Sequence, residues 1–314
     1  MKSVLDQFGP QRITERPLVR RIRLHQSWYR AEVLGVNEWG KTAPPNNREL
    51  GSVLPDEAAS LGFNFIDQHA FAEYQQRRTK GWGVEPYRCE KYMTSSQTLT
   101  FNIFAPLKRD LSWLNEVLEL LGITDGGHPE WVSFESSLSK QSESFFDKTL
   151  ADIFIRLRKG GLVVETKLAD QFSRRSITER AYSHYLSLNS KFELWCDPGM
   201  ILRDFANSQL ARVHALGAVE SNNSCEFLFV YHPLDISAKD HAQRYRQNLT
   251  DPSKMKITSL SEFFSIMFQA SKNAEQRATV QDLRVRYVDL FLSADAYAEI
   301  GVELRANRQA LKVV

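Results

Sequence analysis

Leu150-Ala-Asp-Ile-Phe-Ile-Arg-Leu-Arg-Lys-Gly-Gly-Leu-Val-Val-Glu-Thr-Lys167 reads as two strands joined by a tight turn. Ile153, Phe154, Ile155 and Leu157 are strand formers, Leu162, Val163 and Val164 make a second apolar run, and Gly160-Gly161 permits the turn between them. With Leu157 set opposite Leu162, Asp152 is expected opposite Lys167 and Phe154 opposite Glu165. Side chains alternate along a strand, so Glu165 and Lys167 point the same way and the pairing carries Asp152 to their face. Two carboxylates and an ammonium are thus expected on one patch of largely apolar sheet.

Such a patch has a chemical use. Neighbouring carboxylates repel unless a cation lies between them, and hard oxygen ligands with open positions suit Mg²⁺ or Mn²⁺. A lysine beside them can hold or help deprotonate an attacking water, or offset charge on a phosphate under attack. The competing reading is a surface hairpin whose Glu165 and Lys167 make a solvated ion pair of little energetic worth.

The pattern Asp152, short turn, Glu165-Thr166-Lys167 on an apolar strand resembles the core motif of the PD-(D/E)XK nuclease superfamily, with Ala151 where many members have proline. Two further stretches, Met93-Thr-Ser-Ser-Gln-Thr-Leu-Thr-Phe-Asn-Ile-Phe-Ala-Pro-Leu107 and Ser208-Gln-Leu-Ala-Arg-Val-His214, resemble segments of a little-characterised bacterial family within it. The resemblance spans about residues 20 to 268. It implies a restriction-endonuclease-like α/β (α+β) fold, an αβββαβ core whose mixed sheet is flanked by helices, with an N-terminal helical extension. It also implies that Asp152 and Glu165 bind the metal, that the Thr166 carbonyl completes its shell, and that Lys167 is the catalytic lysine. Glu135 matches an acid that binds a second metal or a water on it, and Gln209 a glutamine that reaches the site from a helix. Arg212, one helical turn on, is a candidate phosphate contact; His214 reads more simply as a partly buried histidine.

Composition agrees with an enzyme of this kind. The chain has 314 residues, enough for a sizeable core, and a formal net charge of +2, too small by itself to announce nucleic acid. The start of the chain carries no sustained apolar stretch and no run approaches a membrane span, so a cytoplasmic protein is expected. Three widely spaced cysteines suggest neither a disulfide framework nor a structural zinc site. Charge distribution says more than its total. Arg12, Arg16, Arg20, Arg21, Arg23 and Arg30 crowd one stretch, Arg77, Arg78 and Lys80 precede Trp82, and Arg174 and Arg175 follow the candidate active strand. Arg174 and Arg175 have the best claim on phosphates, because they lie closest to Lys167.

Along the chain, residues 11–35, 56–80, 111–121, 178–187, 201–217, 240–248, 260–268 and 276–291 read as helices, and 129–135, 225–231 and 255–258 as further strands. Ser95 or Ser96 reads as the cap of another helix, in which Gln97 and Asn102 are amides needing partners; they are expected to brace the site rather than enter it. The expected organisation is an N-terminal helical region over 1–128, the catalytic core over 129–270 and a C-terminal helical region over 271–314. The resulting expectation is a Mg²⁺- or Mn²⁺-dependent nuclease acting on DNA, in bacterial defence or DNA processing. The alternative is an inactive protein of the same fold that binds nucleic acid or acts as a scaffold. Nothing in the residues decides between DNA and RNA, and although a homodimer would suit double-strand cleavage, no dimer signature is visible.

Overall fold

The computed structural model of the chain describes residues 3–12, 14–138, 148–172, 177–222 and 224–301. The chain divides into two units, Met1–Asn102 with Ala278–Val314, and Ile103–Arg277.

The second unit holds the sheet. Its strands β1 (Pro129–Ser137), β2 (Leu150–Leu157), β3 (Gly160–Lys167), β4 (Cys225–Tyr231) and β5 (Met255–Ser259) lie side by side in chain order. β1, β2 and β3 pair antiparallel, while β4 joins β3 and β5 joins β4 in parallel. The sheet is therefore mixed, as expected. A parallel step needs a crossover; α8 (Glu179–Phe192), α9 (Pro198–Arg203) and α10 (Ser208–Glu220) supply the first, and α11 (Ile236–Gln247) the second. Every residue of β3 and β4 is buried, which explains why both read as continuous apolar runs.

One face of the sheet, with Phe154, Val163, Phe227 and Phe229, packs against Tyr185, Leu188, Leu210, Val213 and Tyr245 of the crossover helices. On the other side of the unit, α7 (Leu111–Leu120) packs on β1, and α12 (Leu260–Gln269) on β4 and β5. The Trp113 indole ties α7 to α12 through the Met267 carbonyl at 3.1 Å. Helix starts follow side-chain chemistry. Asp110, Thr178, Asp197 and Asp235 each accept a backbone N–H at the head of α7, α8, α9 and α11, and Ser259 with Glu262 forms a capping box on α12.

The hairpin register differs from the sequence expectation. The paired residues are Ile153 with Val164, Ile155 with Leu162 and Leu157 with Gly160, two residues away from the expected alignment, and the turn is Arg158-Lys159. The glycines lie inside the strand because neighbours come close. A Cβ on Gly160 would stand 2.2 Å from the Ser224 carbonyl oxygen, and one on Gly161 2.3 Å from Ser221 Oγ and 2.7 Å from the Phe154 ring. A slip of two preserves which face each side chain occupies, so the expected crowding of Asp152, Glu165 and Lys167 survives the correction. The single helix expected over 201–217 is two, α9 and α10. Asp204 breaks it by accepting from the Ala206 N–H and the Asn207 side chain.

The first unit is helical: α1 (Val4–Phe8), α2 (Pro17–Trp28), α3 (Asp56–Ser60), α4 (Gln68–Arg78), α5 (Pro86–Lys91), the start of α6 (Ser96–Arg109) and most of α13 (Ala274–Tyr287). Several of its arginines are spent inside it rather than offered to phosphates. Arg30 is fully buried and donates to the carbonyls of Gly51, Val36 and Glu38, Arg23 pairs with Glu15 at 2.7 Å, and Arg21 donates to Ser293 and Leu290. Among the described residues no helix is long and apolar enough to cross a membrane.

Candidate active site

The site forms where β2 and β3 stop pairing. Their ladder ends at Ile153 and Val164, and beyond it Asp152 Oδ2 accepts the Thr166 N–H at 2.7 Å and the Thr166 hydroxyl at 3.1 Å. A buried N–H without a strand partner needs another acceptor, and the carboxylate supplies it. Alternation then turns Glu165 and Lys167 to one face. Both are buried, at 0% and 6% exposure.

Lys167 Nζ donates to Glu165 Oε1 at 2.7 Å, and Gln209, on α10, donates to the same oxygen at 2.5 Å. Glu165 Oε2 is buried and has no hydrogen-bond partner among the described residues. Phe172, just past β3, places its ring centroid 5.5 Å from Lys167 Nζ and stacks on Phe229.

Burial dominates the electrostatics. It raises the Asp152 carboxyl above its ordinary pKa, against the pull of Lys167 and Thr166. Burial, then the neighbouring Asp152, raises Glu165 to about 7. For Lys167 burial works downward, but Glu165 and Asp152 outweigh it, so its pKa is raised and the ammonium persists. Each carboxylate is thus costly to ionise next to the other, a cost that a cation would remove. Two buried carboxylates and an oxygen without a donor fit a hard divalent ion.

The other expected residues fall as follows. Glu135 is buried in β1 with a left-handed φ of +45°; the pairs Phe134 with Ile153 and Ser136 with Ala151 bracket it in register with Asp152. Even so, no three His, Cys, Asp or Glu side chains gather in a metal-holding group among the described residues; the acids that meet are Asp152 and Glu165. Arg212 is half-buried, and its Nε donates to the Ser208 carbonyl of its own helix. Arg174 and Arg175 lie outside the described residues. His214 is a core residue: its Nδ1 lies 3.1 Å from the Tyr245 hydroxyl, and burial lowers its pKa to about 4. Gln97 and Asn102 bind partners within the first unit, Gln97 at Gly83 and Glu85, Asn102 at Ile66 and Tyr287.

Three contributors escaped the sequence reading: the Thr166 hydroxyl, Phe172, and Asp170, whose charge acts on both Asp152 and Lys167. Asp170 was findable as an acid three residues beyond the lysine, and Phe172 as an aromatic two further on. The Thr166 contact depends on the strands parting, which no spacing announces.

A family model for the PD-(D/E)XK nuclease superfamily matches residues 13–289, and the chain belongs to that superfamily. No curated protein and no solved structure matches it.

Proposed function

We propose that this superfamily member is a nuclease that hydrolyses phosphodiester bonds of DNA with Mg²⁺ or Mn²⁺. The observation carrying this reading is the buried Asp152–Glu165–Lys167 cluster, in which Glu165 Oε2 has no donor among the described residues. Asp152 and Glu165, with the Thr166 carbonyl, would hold the ion, and Glu135 would support a second ion or a water. Bound there, the ion supplies Lewis acidity toward a phosphoryl oxygen.

The chain's own groups supply the rest. Thr166 fixes Asp152 from β3, which leaves the second oxygen of that carboxylate outside the bond. Lys167 and Gln209 both hold Glu165 Oε1, which sets the orientation of Oε2. Lys167, whose pKa Glu165 and Asp152 raise in the ion-free site, would hold or help deprotonate the attacking water, or offset charge building on the phosphate. Arg174, Arg175 and Arg212 are proposed as contacts to flanking phosphates. The setting, bacterial defence or DNA processing, is proposed from the sequence resemblance alone.

The test is cleavage of supercoiled plasmid, linear duplex, and single-stranded DNA and RNA with Mg²⁺, Mn²⁺ or EDTA, beside Asp152→Ala and Lys167→Ala. Metal-dependent cutting lost in both variants is expected. Binding without cutting, alike in wild type and variants, would replace this reading with a nucleic-acid-binding protein of the same fold.

A further inference from the structure

The end of β4 away from the catalytic cluster borders a cavity of about 180 Å³. Cys225, the first residue of β4, pairs with Gly161, four residues before Glu165, which sets the cavity roughly 13 Å along the sheet from the carboxylates. His214 and Cys225, both buried, form its floor, and Phe192, Leu194 and Leu249 its apolar walls. Glu193, Asp251 and Lys254 stand at its mouth. The walls are pinned together: the Thr250 N–H donates to the Leu194 carbonyl and the Cys196 N–H to the Asn248 carbonyl, each at 3.0 Å. A cavity held open in this way needs little ordering when something binds.

Hydrogen bonding fixes what the floor presents. The Trp195 indole, which can only donate, gives its Nε1–H to the Tyr245 hydroxyl at 2.9 Å, and the acceptor left for the Tyr245 proton among the described residues is His214 Nδ1 at 3.1 Å. The neutral His214 ring therefore has its proton on Nε2, and burial keeps it neutral by lowering its pKa to about 4. This Nε2–H meets no acceptor among the described residues. Cys225 adds no charge, because burial pushes its thiol up to about 12. The mouth is anionic: Glu193 and Asp251 are exposed carboxylates, while the Lys254 ammonium is engaged by Asp125 at 2.7 Å. Although His, Cys, Asp and Glu all line the cavity, no three of them gather to hold a metal among the described residues, which points to an organic occupant.

We infer that this cavity binds a small neutral aminoheterocycle of the free nucleobase type, its carbonyl or ring nitrogen accepting from His214 Nε2–H and its amino group donating to Glu193 or Asp251. A flat ring suits the apolar walls, and the size agrees, since a cavity of about 150 Å³ holds benzene. A carboxylate or phosphate would meet two acids at the mouth. The site is separate from the catalytic cluster and stands without the nuclease reading. α10 spans both, with Gln209 at one and His214 at the other.

The test is calorimetric titration of the full chain in EDTA with adenine and with cytosine, beside toluene as a purely apolar control. Both bases are expected to bind with a Kd of about 0.1–1 mM, and toluene roughly tenfold more weakly. Nitrogen NMR of the imidazoles reads the floor directly: His214 is expected as the Nε2–H form near about pH 7, with its Nε2 resonance moving as adenine saturates. Leu249→Trp, which fills the cavity from its wall, should abolish binding. Glu193→Gln, at the exposed mouth, should weaken adenine roughly threefold to tenfold and leaves the core untouched. The inference is overturned if neither base binds below about 10 mM, if toluene binds as tightly, if the His214 resonance stays in place, or if both variants bind like wild type.

Discussion

Thr166 holds Asp152 twice, through its N–H and its hydroxyl, both on Oδ2. The backbone bond survives any substitution that keeps the strand, so Thr166→Val isolates the hydroxyl. One hydrogen bond to a charged group contributes roughly 1.5–3 kcal/mol. Mn²⁺ affinity, measured by calorimetry, should fall roughly tenfold in Thr166→Val and recover in Thr166→Ser. Equal affinity in all three proteins would deny Thr166 a positioning role.

Gln209 acts through Glu165. Removing its donor takes away a bond that lowers the Glu165 pKa. Gln209→Ala should therefore slow cleavage roughly 10- to 100-fold, the usual effect of losing an outer partner of a metal ligand. It should also move the acidic limb of the pH–rate profile upward, whereas a purely structural loss would lower the rate with the profile in place.

The raised Glu165 pKa makes a signed prediction for the ion-free protein. The folded chain keeps this proton to about pH 7, while the unfolded chain releases it near the ordinary value of 4.5. The group's contribution to stability is therefore full below pH 4.5 and is lost as pH rises through about 7. A cation displaces the proton, so the thermal stabilisation gained from Mn²⁺ should grow as pH rises toward about 7 and level off above it. Melting curves with and without EDTA measure it, and Glu165→Gln should abolish the trend.

Gly160 and Gly161 give a stability test apart from chemistry. Alanine at 160 would meet the Ser224 carbonyl, which is backbone, and alanine at 161 the Ser221 hydroxyl and Phe154 ring. Each substitution should destabilise by about 1–3 kcal/mol, the range for overpacking a filled interior. Chemical denaturation measures it. A neutral result at both positions would restore the turn reading for this pair.

That pair shows where the sequence was ambiguous. Glycine marks both turns and close approaches, and the neighbours that decide between them, Ser224 and Phe154, are known only once the sheet is built. The strands themselves were legible because Leu162 to Val164 and Cys225 to Tyr231 are apolar runs of buried parallel strands. The meeting of Asp152, Glu165 and Lys167 was legible because alternation survives a slip of two. Arg30 was illegible for a different reason: its partners are carbonyls of Gly51, Val36 and Glu38, and any sequence supplies carbonyls. Gln97 was noticed as a polar group in an apolar helix, but its direction depends on loop 81–85, which only the fold positions.

The first unit is assembled from chain segments that precede and follow the second in sequence. Asn102 meets the Tyr287 hydroxyl, Asn64 accepts from Arg286, and His25 lies against Ser293 and the Val285 carbonyl. These partners all follow the second unit in the chain and leave the ribosome after it. During synthesis the sheet unit is complete before the helical unit can close, so the nascent chain carries a finished sheet unit while the helical one is still unfinished. Arrest of translation near residue 277 would therefore yield a folded sheet unit whose leading hundred residues still await their closing helix.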